Sequence, residues 1–174
     1  MSLRDDALAT LLGWQPPDAG QEVLRATYVE QLSSHADALW RDGRLDHLTA
    51  SAVVLDADRR QVLLTLHRKA NRWFQLGGHL EPADPTLADA ALREATEESG
   101  IDGLLPMPGP VQLDVHEVPF CRPGARHLDV RYVLHAPPGA QPTVSAESHD
   151  VRWWPVGELP DAELEPLVRL AVSR

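Results

Sequence analysis

Three glutamates stand close together in the segment REATEESG, which runs from Arg93 to Gly100. If this segment is helical, Glu94, Glu97 and Glu98 lie three and four residues apart and share one face of the helix. Like charges at this spacing repel each other by roughly a few tenths of a kcal/mol. The cluster therefore either faces water, which screens the repulsion, or binds a positive charge.

A helix that begins at Thr86 is predicted to carry these carboxylates. Thr86 and Asp89 form a capping-box-like start, and Gly100 supplies the stop. On a helical wheel, small apolar residues occupy the side that adjoins the glutamates: Ala88, Ala91, Leu92 and Ala95. Close packing of that side against a sheet would hold the acidic face rigidly at the edge of the sheet.

A glycine pair, Gly77 and Gly78, ends the short strand predicted for WFQLGG. Without side chains at these positions, backbone carbonyl oxygens can approach an ion or a phosphate closely. Carboxylates and carbonyls are the hard oxygen ligands that Mg²⁺ and Mn²⁺ favour. The sequence therefore predicts a divalent-cation site between the glycine pair and the helix.

The first half of the chain is predicted to contain two helices and a hairpin. Helical spacing of apolar residues over 5–12 and 21–33, with the breaker GWQPPDAG between them, predicts an N-terminal helical extension. The runs LTASAVVLD and QVLLTLHR, separated by a turn-like ADRR, predict a hairpin of half-buried strands. We expect an extension over residues 1–45 and a second domain over 46–174.

The second half is predicted to complete a mixed sheet. After a Pro/Gly-rich connector at 105–110, the runs VQLDVHEVP, HLDVRYVLHA and DVRWWP are strand-like, and ELPDAELEPLVRLAVSR is predicted to form a terminal helix. Strands on both sides of a central helix, with a further helix at the end, indicate an α/β fold in which a mixed sheet packs between helices.

Composition restricts the partners and the location. The chain has 174 residues and a formal net charge of −10, which argues against duplex nucleic acid because that binding needs many Lys and Arg residues. A small anionic ligand would need a local cationic patch or metal ions. No apolar run approaches the roughly 18 residues of a membrane span, and the acidic start does not resemble a secretory signal. We expect a soluble, cytoplasmic protein with no membrane partner.

The single cysteine, Cys121, is interpreted as excluding both an internal disulfide and a cysteine-based zinc site. We interpret it as a small packing residue. We likewise expect Trp40, Trp153 and Trp154 to be core or sheet-packing residues.

The segment GHLEPADPTLADAALREATEESGI resembles a Nudix box, whose family pattern is G-x5-E-x7-R-E-U-x-E-E-x-G-U with U aliphatic. The first glycine falls on Gly78, and the later positions are filled in order by Arg93, Glu94, Ala95, Glu97, Glu98, Gly100 and Ile101. Asp84 stands where the pattern has its first glutamate, and one additional residue separates it from Arg93. The resemblance implies a Nudix-type α/β/α sandwich with a mixed sheet, preceded by the helical extension.

The same resemblance implies a metal-dependent hydrolase, with Mg²⁺ or Mn²⁺ as cofactor, that cleaves a diphosphate linkage in a nucleoside diphosphate derivative. It implies that Glu97 and Glu98 ligate the metal, that Glu94 ligates metal or orients a water molecule, and that the Gly77 carbonyl completes the site.

The resemblance also implies roles for three further residues. Arg93 is expected to be structural, and the sequence leaves open whether the shorter Asp84 still pairs with it. Glu147, just before DVRWWP, is the candidate for a further ligand or base, although an ordinary loop glutamate fits the sequence equally well.

Candidate substrate contacts fall into three groups. The first is a basic and aromatic cluster, which a solvated loop would also explain: His67, Arg68, Lys69, Arg72 and Trp73. The second is His79, after the glycine pair, which is equally compatible with a structural hydrogen bond. The third is His127, Asp129 and Arg131, which alternate along one strand and share a face that lines either the cleft or solvent.

Two alternatives to a hydrolase remain at this point. A catalytically silent Nudix-fold nucleotide sensor is disfavoured by the intact REATEESG, and an isoprenoid diphosphate isomerase would need Cys121 in its active site. The N-terminal helices either cover the cleft or form the interface of a homodimer, and the nucleotide derivative itself is not indicated by the sequence.

Overall fold

The computed structural model describes residues 1–118, 121–146 and 148–174. The helices are α1 (Leu3–Gly13), α2 (Ala19–Ser34), α3 (Leu87–Ser99) and α4 (Glu165–Val172), the last preceded by a single 3₁₀ turn at Ala162–Leu164. The strands are β1 (Asp46–Leu55), β2 (Gln61–His67), β3 (Arg72–Phe74), β4 (Leu76–His79), β5 (Leu105–Pro106), β6 (Gln112–Glu117), β7 (Arg126–His135) and β8 (Ser148–Pro155).

One mixed sheet is built around β1. This strand pairs in parallel with β7 along its whole length, from Asp46 opposite Arg126 to Leu55 opposite His135. It also pairs antiparallel with β4 and, at its end, with β2. The path β3-β2-β1-β7-β5 is joined by β4 on β1, β6 on β7 and β8 on β2. The predicted mixed sheet is confirmed.

Helices cover both faces of the sheet. On one face, the β1 residues Leu48, Ala50, Ala52 and Val54 belong to the same buried cluster as apolar residues of α1, α2 and α3. On the other face, Val53 and Leu55 pack in a second cluster with residues of α4. This second face changes character along β1, because His47, Thr49 and Ser51 precede Val53 on it. Helix α4 therefore covers only the apolar half, and Thr49 and Ser51 of the polar half line a cleft.

Three details of the predicted strands are wrong. β1 is not half-buried, since every residue after Asp46 is buried. The predicted hairpin of β1 with β2 is confirmed, and only Val54 and Leu55 of β1 pair in it. WFQLGG is two strands separated at Gln75, and the predicted connector contains β5, which pairs with the end of β7.

The N-terminal helices share the main core. The Tyr28 hydroxyl of α2 is fully buried and lies 2.6 Å from the carbonyl oxygen of Asp114 and 3.2 Å from that of Asp129. The Asp6 carboxylate of α1 accepts a 2.9 Å hydrogen bond from the backbone N–H of Leu87, at the start of α3. Both helices thus help to position the sheet and α3, and the boundary at residue 45 stays a prediction.

None of the helices in the described part of the chain combines the length and the apolar character needed to cross a bilayer.

Replacing Gly77 with alanine is expected to destabilise the fold by about 1–3 kcal/mol, because the new methyl group overpacks the contact between β4 and β1. A Cβ atom at Gly77 would lie 2.3 Å from the Cβ of Ser51 and 2.8 Å from the carbonyl oxygen of Ala50. Urea unfolding would measure the loss. Gly157→Ala is the matched control, since nothing lies within 4 Å of its added Cβ. Equal stability of the two variants would contradict the packing argument.

Candidate active site

Helix α3 begins and ends as the sequence predicts. The Thr86 side chain accepts a 3.0 Å hydrogen bond from the N–H of Asp89, and Gly100 adopts a left-handed conformation with φ of 66°. A side chain is strained in that conformation, so glycine is the residue that ends the helix at low cost. Thr86 and Gly100 thus set the first and last turns of α3, the helix that carries the box glutamates.

Arg93 and Asp84 form a two-pronged ion pair beneath α3. Arg93 Nε donates to Asp84 Oδ1 at 2.9 Å, and Nη2 donates to Asp84 Oδ2 at 3.0 Å. The N–H of Glu81 also donates to Asp84, and Nη2 reaches the carbonyl oxygen of His79 at 3.0 Å. The shorter carboxylate therefore still pairs with the arginine, which answers the question that the sequence left open.

This pairing controls the pKa of Asp84. The carboxylate is only 7% exposed, and burial by itself would raise its pKa. The hydrogen bonds from Arg93 and from the Glu81 N–H outweigh burial, so the pKa of Asp84 lies below its ordinary value. The charged form is the one that the fold stabilises.

Two of the three box glutamates lie against the glycine pair, and the third pairs with Arg93. Arg93 Nη1 donates to Glu94 at 3.0 Å and to the exposed Glu97 at 3.3 Å. Glu98 is 7% exposed and accepts a 3.2 Å hydrogen bond from the Gly77 N–H. The five residues Gly77, Gly78, Glu94, Glu97 and Glu98 all line the cleft.

Gly78 leaves room for the Glu94 carboxylate. A Cβ atom at Gly78 would lie 2.7 Å from Glu94 Oε2 and 2.8 Å from Oε1. A cradle that only glycine permits, lined by three carboxylates and a polar backbone, suits a hard divalent cation. The residues present therefore fit the Mg²⁺ or Mn²⁺ site that the sequence predicts.

The cleft has a volume of about 1340 Å³ and a polar floor. The floor combines β1, β6 and β7 through the side chains of Thr49, Ser51, Asp114, His116, His127, Asp129 and Arg131. The alternating face of β7 thus lines the cleft, which decides between the two placements that the sequence allowed.

Asp129 is the most tightly held of these residues. It is 3% exposed and accepts hydrogen bonds from Thr49 at 3.0 Å, from Ser51 at 2.6 Å and from Arg131 at 3.1 Å. Arg131 also donates to the side chains of Gln112 and Asp114 at 2.7 and 2.8 Å. Both side chains are therefore held rigidly in a cross-strand network.

The basic and aromatic cluster also lines the cleft. Arg72 is neutralised by ion pairs with Asp161 at 2.6 Å and Glu163 at 2.9 Å. Arg68 donates to the Ser148 carbonyl oxygen at 3.2 Å, and Lys69 faces the same cleft. Of the four predicted basic residues, Arg68 and Lys69 are thus the better placed to offer positive charge to an anion.

The tryptophans that were expected to pack in the core or on the sheet do so. The Trp73 ring meets Trp154 edge-on at 5.3 Å between centroids, and Arg152 stacks over Trp73 at 5.4 Å. Trp40 and Trp153 pack against the main core. Trp73 is the one of these that also lines the cleft.

A cluster of three histidines and the cysteine was missed by sequence reasoning. His47, His79, His127 and Cys121 each place one nitrogen or sulfur atom within 4.8 Å of the others. Burial lowers the pKa of His79 to about 4 and that of His127 to about 3, and it also lowers the pKa of His47. All three imidazoles are therefore neutral near pH 7.

One sequence signal could have revealed part of this cluster. β1 begins with Asp-His-Leu and β7 begins with Arg-His-Leu. Parallel pairing in that register places His47 beside His127. The interpretation of Cys121 as a packing residue did not consider metal sites in which one thiolate and several imidazoles are the ligands. In the structure Cys121 lies in the wall of the cleft, with Sγ 3.6 Å from His79 Nε2.

Glu147 lies outside the described residues, so its role stays a prediction.

Comparison with known proteins points to the family whose sequence pattern the segment from Gly78 to Ile101 resembles. The NUDIX domain family model matches residues 45–171. A search of curated proteins finds no match.

Solved structures with the same fold include a NUDIX-family hydrolase from Clostridium perfringens (23% identity, 73% of this chain and 94% of that chain, TM-score 0.59). An Ap4A hydrolase of C. elegans, solved as a binary complex, has 18% identity over 72% of this chain and 95% of that chain, with a TM-score of 0.61. The NUDIX domain of Shewanella oneidensis NrtR, complexed with ADP-ribose, has 19% identity over 83% of this chain and 96% of that chain, with a TM-score of 0.58.

Asp84→Asn is expected to lower the free energy of unfolding by about 2–4 kcal/mol, because it leaves a partly buried Arg93 without its charged partner. Urea unfolding at neutral pH would measure this. Asp150→Asn is the matched control, because its partner Arg152 is mostly exposed and such pairs contribute about 0–1 kcal/mol.

The difference between wild type and Asp84→Asn should also depend on pH. Because the folded-state pKa of Asp84 is depressed, its contribution is present above the unfolded-state pKa of about 4 and is lost as the pH falls through the folded-state pKa. The two unfolding curves should therefore converge in acid. A constant difference down to pH 2 would contradict this account.

Proposed function

Because the chain belongs to the Nudix hydrolase family, we propose that it hydrolyses a diphosphate linkage in a nucleoside diphosphate derivative by attack of water on phosphorus. The observation that carries the proposal is the meeting of Glu94, Glu97 and Glu98 with the glycine pair at one wall of a cleft. Metal-assisted hydrolysis needs several carboxylates to hold the cation, whereas simple nucleotide binding does not require them.

Glu97 and Glu98 are proposed to hold Mg²⁺ or Mn²⁺, together with Glu94 and the Gly77 carbonyl oxygen. When bound, the cation would neutralise diphosphate charge, polarise the phosphorus and make a water molecule more acidic. The donor set is all oxygen, which suits these two ions better than softer metals.

The protein's own residues restrict how the carboxylates can move. Asp84 holds Arg93, and Arg93 in turn contacts Glu94 and Glu97. Glu98 is held by the Gly77 N–H. Such preorganisation removes the cost of arranging these groups during the reaction. We propose Glu94, or Glu147 in the later loop, as the base that takes the proton from the attacking water.

Substrate binding is proposed to use the walls of the cleft. Arg68 and Lys69 would contact phosphate oxygens, and Trp73 would offer its ring to a base. His67 lies on the same wall and packs edge-on to Phe74. On the floor, Asp129 and Arg131 would meet the part of the substrate beyond the phosphates.

Two similar folds suggest where to begin the search for a substrate. One is an Ap4A hydrolase and the other was solved with ADP-ribose. A cleft of about 1340 Å³ has space for molecules of either size. We propose a small nucleotide derivative as the partner, a cytoplasmic location and no role for duplex nucleic acid. Light scattering would test whether the protein forms a homodimer, one of the two roles considered for α1 and α2.

The alternative proposal is a catalytically silent Nudix-fold sensor of nucleotides. The complete set of box glutamates and the intact pairing between Arg93 and Asp84 favour the hydrolase.

Glu97→Gln and Glu98→Gln are each expected to lower kcat by at least about 100-fold, because each removes one negative ligand from the cation site. The assay would follow nucleotide and phosphate release from dinucleoside polyphosphates, ADP-ribose, nucleoside triphosphates and nucleotide sugars, with Mg²⁺ or Mn²⁺. Glu158→Gln is the matched control, since Glu158 is exposed and is not part of the cleft lining.

Turnover that needs no divalent metal, or that survives both box substitutions, would contradict the proposed mechanism. No turnover on any substrate, combined with thermal stabilisation by nucleotides, would favour the sensor.

Arg68→Gln and Lys69→Gln are each expected to raise KM by about 10-fold while changing kcat little, because a charge-assisted phosphate contact is lost in the ground state and transition state alike. Steady-state kinetics on the best substrate would measure both constants. Arg60→Gln, in the exposed turn between β1 and β2, is the control. An unaltered KM for every substrate would exclude these residues as substrate contacts.

A further inference from the structure

The cluster formed by His47, His79, His127 and Cys121, here called the histidine cluster, has the ligand chemistry of a transition-metal site. Imidazole nitrogen and thiolate sulfur are ligands of Zn²⁺, whereas the box offers only oxygen. The four residues come from the start of β1, the end of β4, the segment after β6 and the start of β7. They therefore converge from separate parts of the chain on one point.

The buried ring of His47 gives the strongest evidence for a bound ion. It is 1% exposed, and its Nε2 atom has no hydrogen-bond partner among the described residues. Its Nδ1 atom lies 3.1 Å from the carbonyl oxygen of Leu45 and 3.3 Å from that of Arg44. Since carbonyl oxygens only accept, Nδ1 carries the hydrogen, and Nε2 is left with a lone pair and no partner. A buried polar atom in that condition is costly unless something binds it.

His127 presents a second buried ring nitrogen of this kind. Its Nε2 atom is also buried and lacks a hydrogen-bond partner among the described residues. The His127 ring lies 5.0 Å from both the His47 ring and the His79 ring, measured between centroids. The cluster consists of three neutral imidazoles and one thiol, so its ligand atoms are nitrogen and sulfur.

The spacing of the ligand atoms matches a tetrahedral ion. Zn–N bonds of about 2.0–2.1 Å and a Zn–S bond of about 2.3 Å place tetrahedral N and S ligands about 3.6 Å apart. Cys121 Sγ lies 3.6 Å from His79 Nε2, and all four ligand atoms lie within 4.8 Å of one another. Small side-chain rotations would bring the remaining pairs to coordination distance.

We propose that His47, His79, His127 and Cys121 bind one Zn²⁺ ion at a site distinct from the carboxylates of the Nudix box. Binding forms three Zn–N bonds and one Zn–S bond, and the thiol proton is released to solvent. The hydrogen bond from His47 Nδ1 to a backbone carbonyl is the outer contact that orients a zinc-bound imidazole. His79 and His127 then serve as metal ligands rather than as substrate contacts.

His116 is a neighbour of this site and not a member. Its ring lies 5.5 Å from that of His127, but its Nδ1 atom is 2.8 Å from the carboxylate of Asp114, which in turn pairs with Arg131. The ion would therefore be held between the cross-strand network of the floor and the box. It would also fix the end of β4, where the carbonyl oxygen of His79 accepts from Arg93.

Metal content and a cobalt spectrum test the proposal directly. Chelator-treated protein is given Zn²⁺, desalted and analysed for bound metal, and a parallel sample is given Co²⁺ and scanned for thiolate-to-cobalt charge-transfer absorption. We expect one Zn²⁺ per chain, a charge-transfer band, and a Tm increase of about 5–10 °C at a free Zn²⁺ concentration 100 times the Kd.

Variants then assign the ligands. Cys121→Ser should abolish the charge-transfer band and weaken Zn²⁺ binding by at least about 10-fold, and His127→Gln should weaken binding similarly. His149→Gln, an exposed histidine outside the cleft, and Glu98→Gln, in the box, should retain one Zn²⁺ and the band. Zinc content that follows Glu98 instead of Cys121 would overturn the proposal, as would no bound zinc in the wild type.

A measurement on the wild-type protein covers the case in which a variant does not fold. Cys121 is partly exposed and is the only thiol in the chain, so its alkylation by iodoacetamide can be followed by mass spectrometry. Zn²⁺ should slow the alkylation at least about 10-fold, and Mg²⁺ at the same concentration should not, because it does not favour sulfur. Equal rates with and without Zn²⁺ would overturn the proposal. Because no arm of the experiment measures hydrolysis, its result is independent of the proposed activity.

Discussion

The parallel pairing of β1 with β7 is the constraint from which the site follows. It places Thr49 and Ser51 beside Asp129, so that one carboxylate collects hydrogen bonds from both strands. A buried carboxylate needs such donors, and a shift of one residue would move them to the helix-covered face. The register that builds the hydrophobic core therefore also builds the floor of the cleft.

The wall of the cleft depends on the close approach of α3 and β4. Glycine at 77 allows β4 to lie against Ser51, and glycine at 78 admits the Glu94 carboxylate. Arg93 then connects Asp84, the end of β4 and two of the box glutamates through a single guanidinium group. The planar fork of arginine suits this role, because its five donors are fixed in direction.

Much of this arrangement could be predicted from the sequence, for local reasons. The limits of α3 follow from Thr86 and Gly100, and the box residues follow from a long and specific pattern. The burial of β1 on both faces could not be inferred, because alternation of small residues such as Ala50 and Ala52 does not reveal what packs against them. The similar starts of β1 and β7 could have suggested that His47 lies beside His127. Sequence spacing does not show that His79 and Cys121, from two further segments, join them, so the complete histidine cluster became visible only in three dimensions. Whether Asp84 pairs with Arg93 likewise depended on a loop conformation that one inserted residue makes hard to foresee.

Helix α1 carries none of the proposed catalytic groups, yet it reaches the catalytic helix through the hydrogen bond from the Leu87 N–H to Asp6. That carboxylate lies at the positive end of the α3 dipole, where negative charge is favourable. Shortening the protein from its N-terminus would thus remove a counter-charge from the helix that presents the box glutamates, in addition to uncovering core surface. The region that lies outside the recognisable family pattern would in this way help to anchor the first turn of the helix that carries the pattern, so trimming it would loosen the start of that helix.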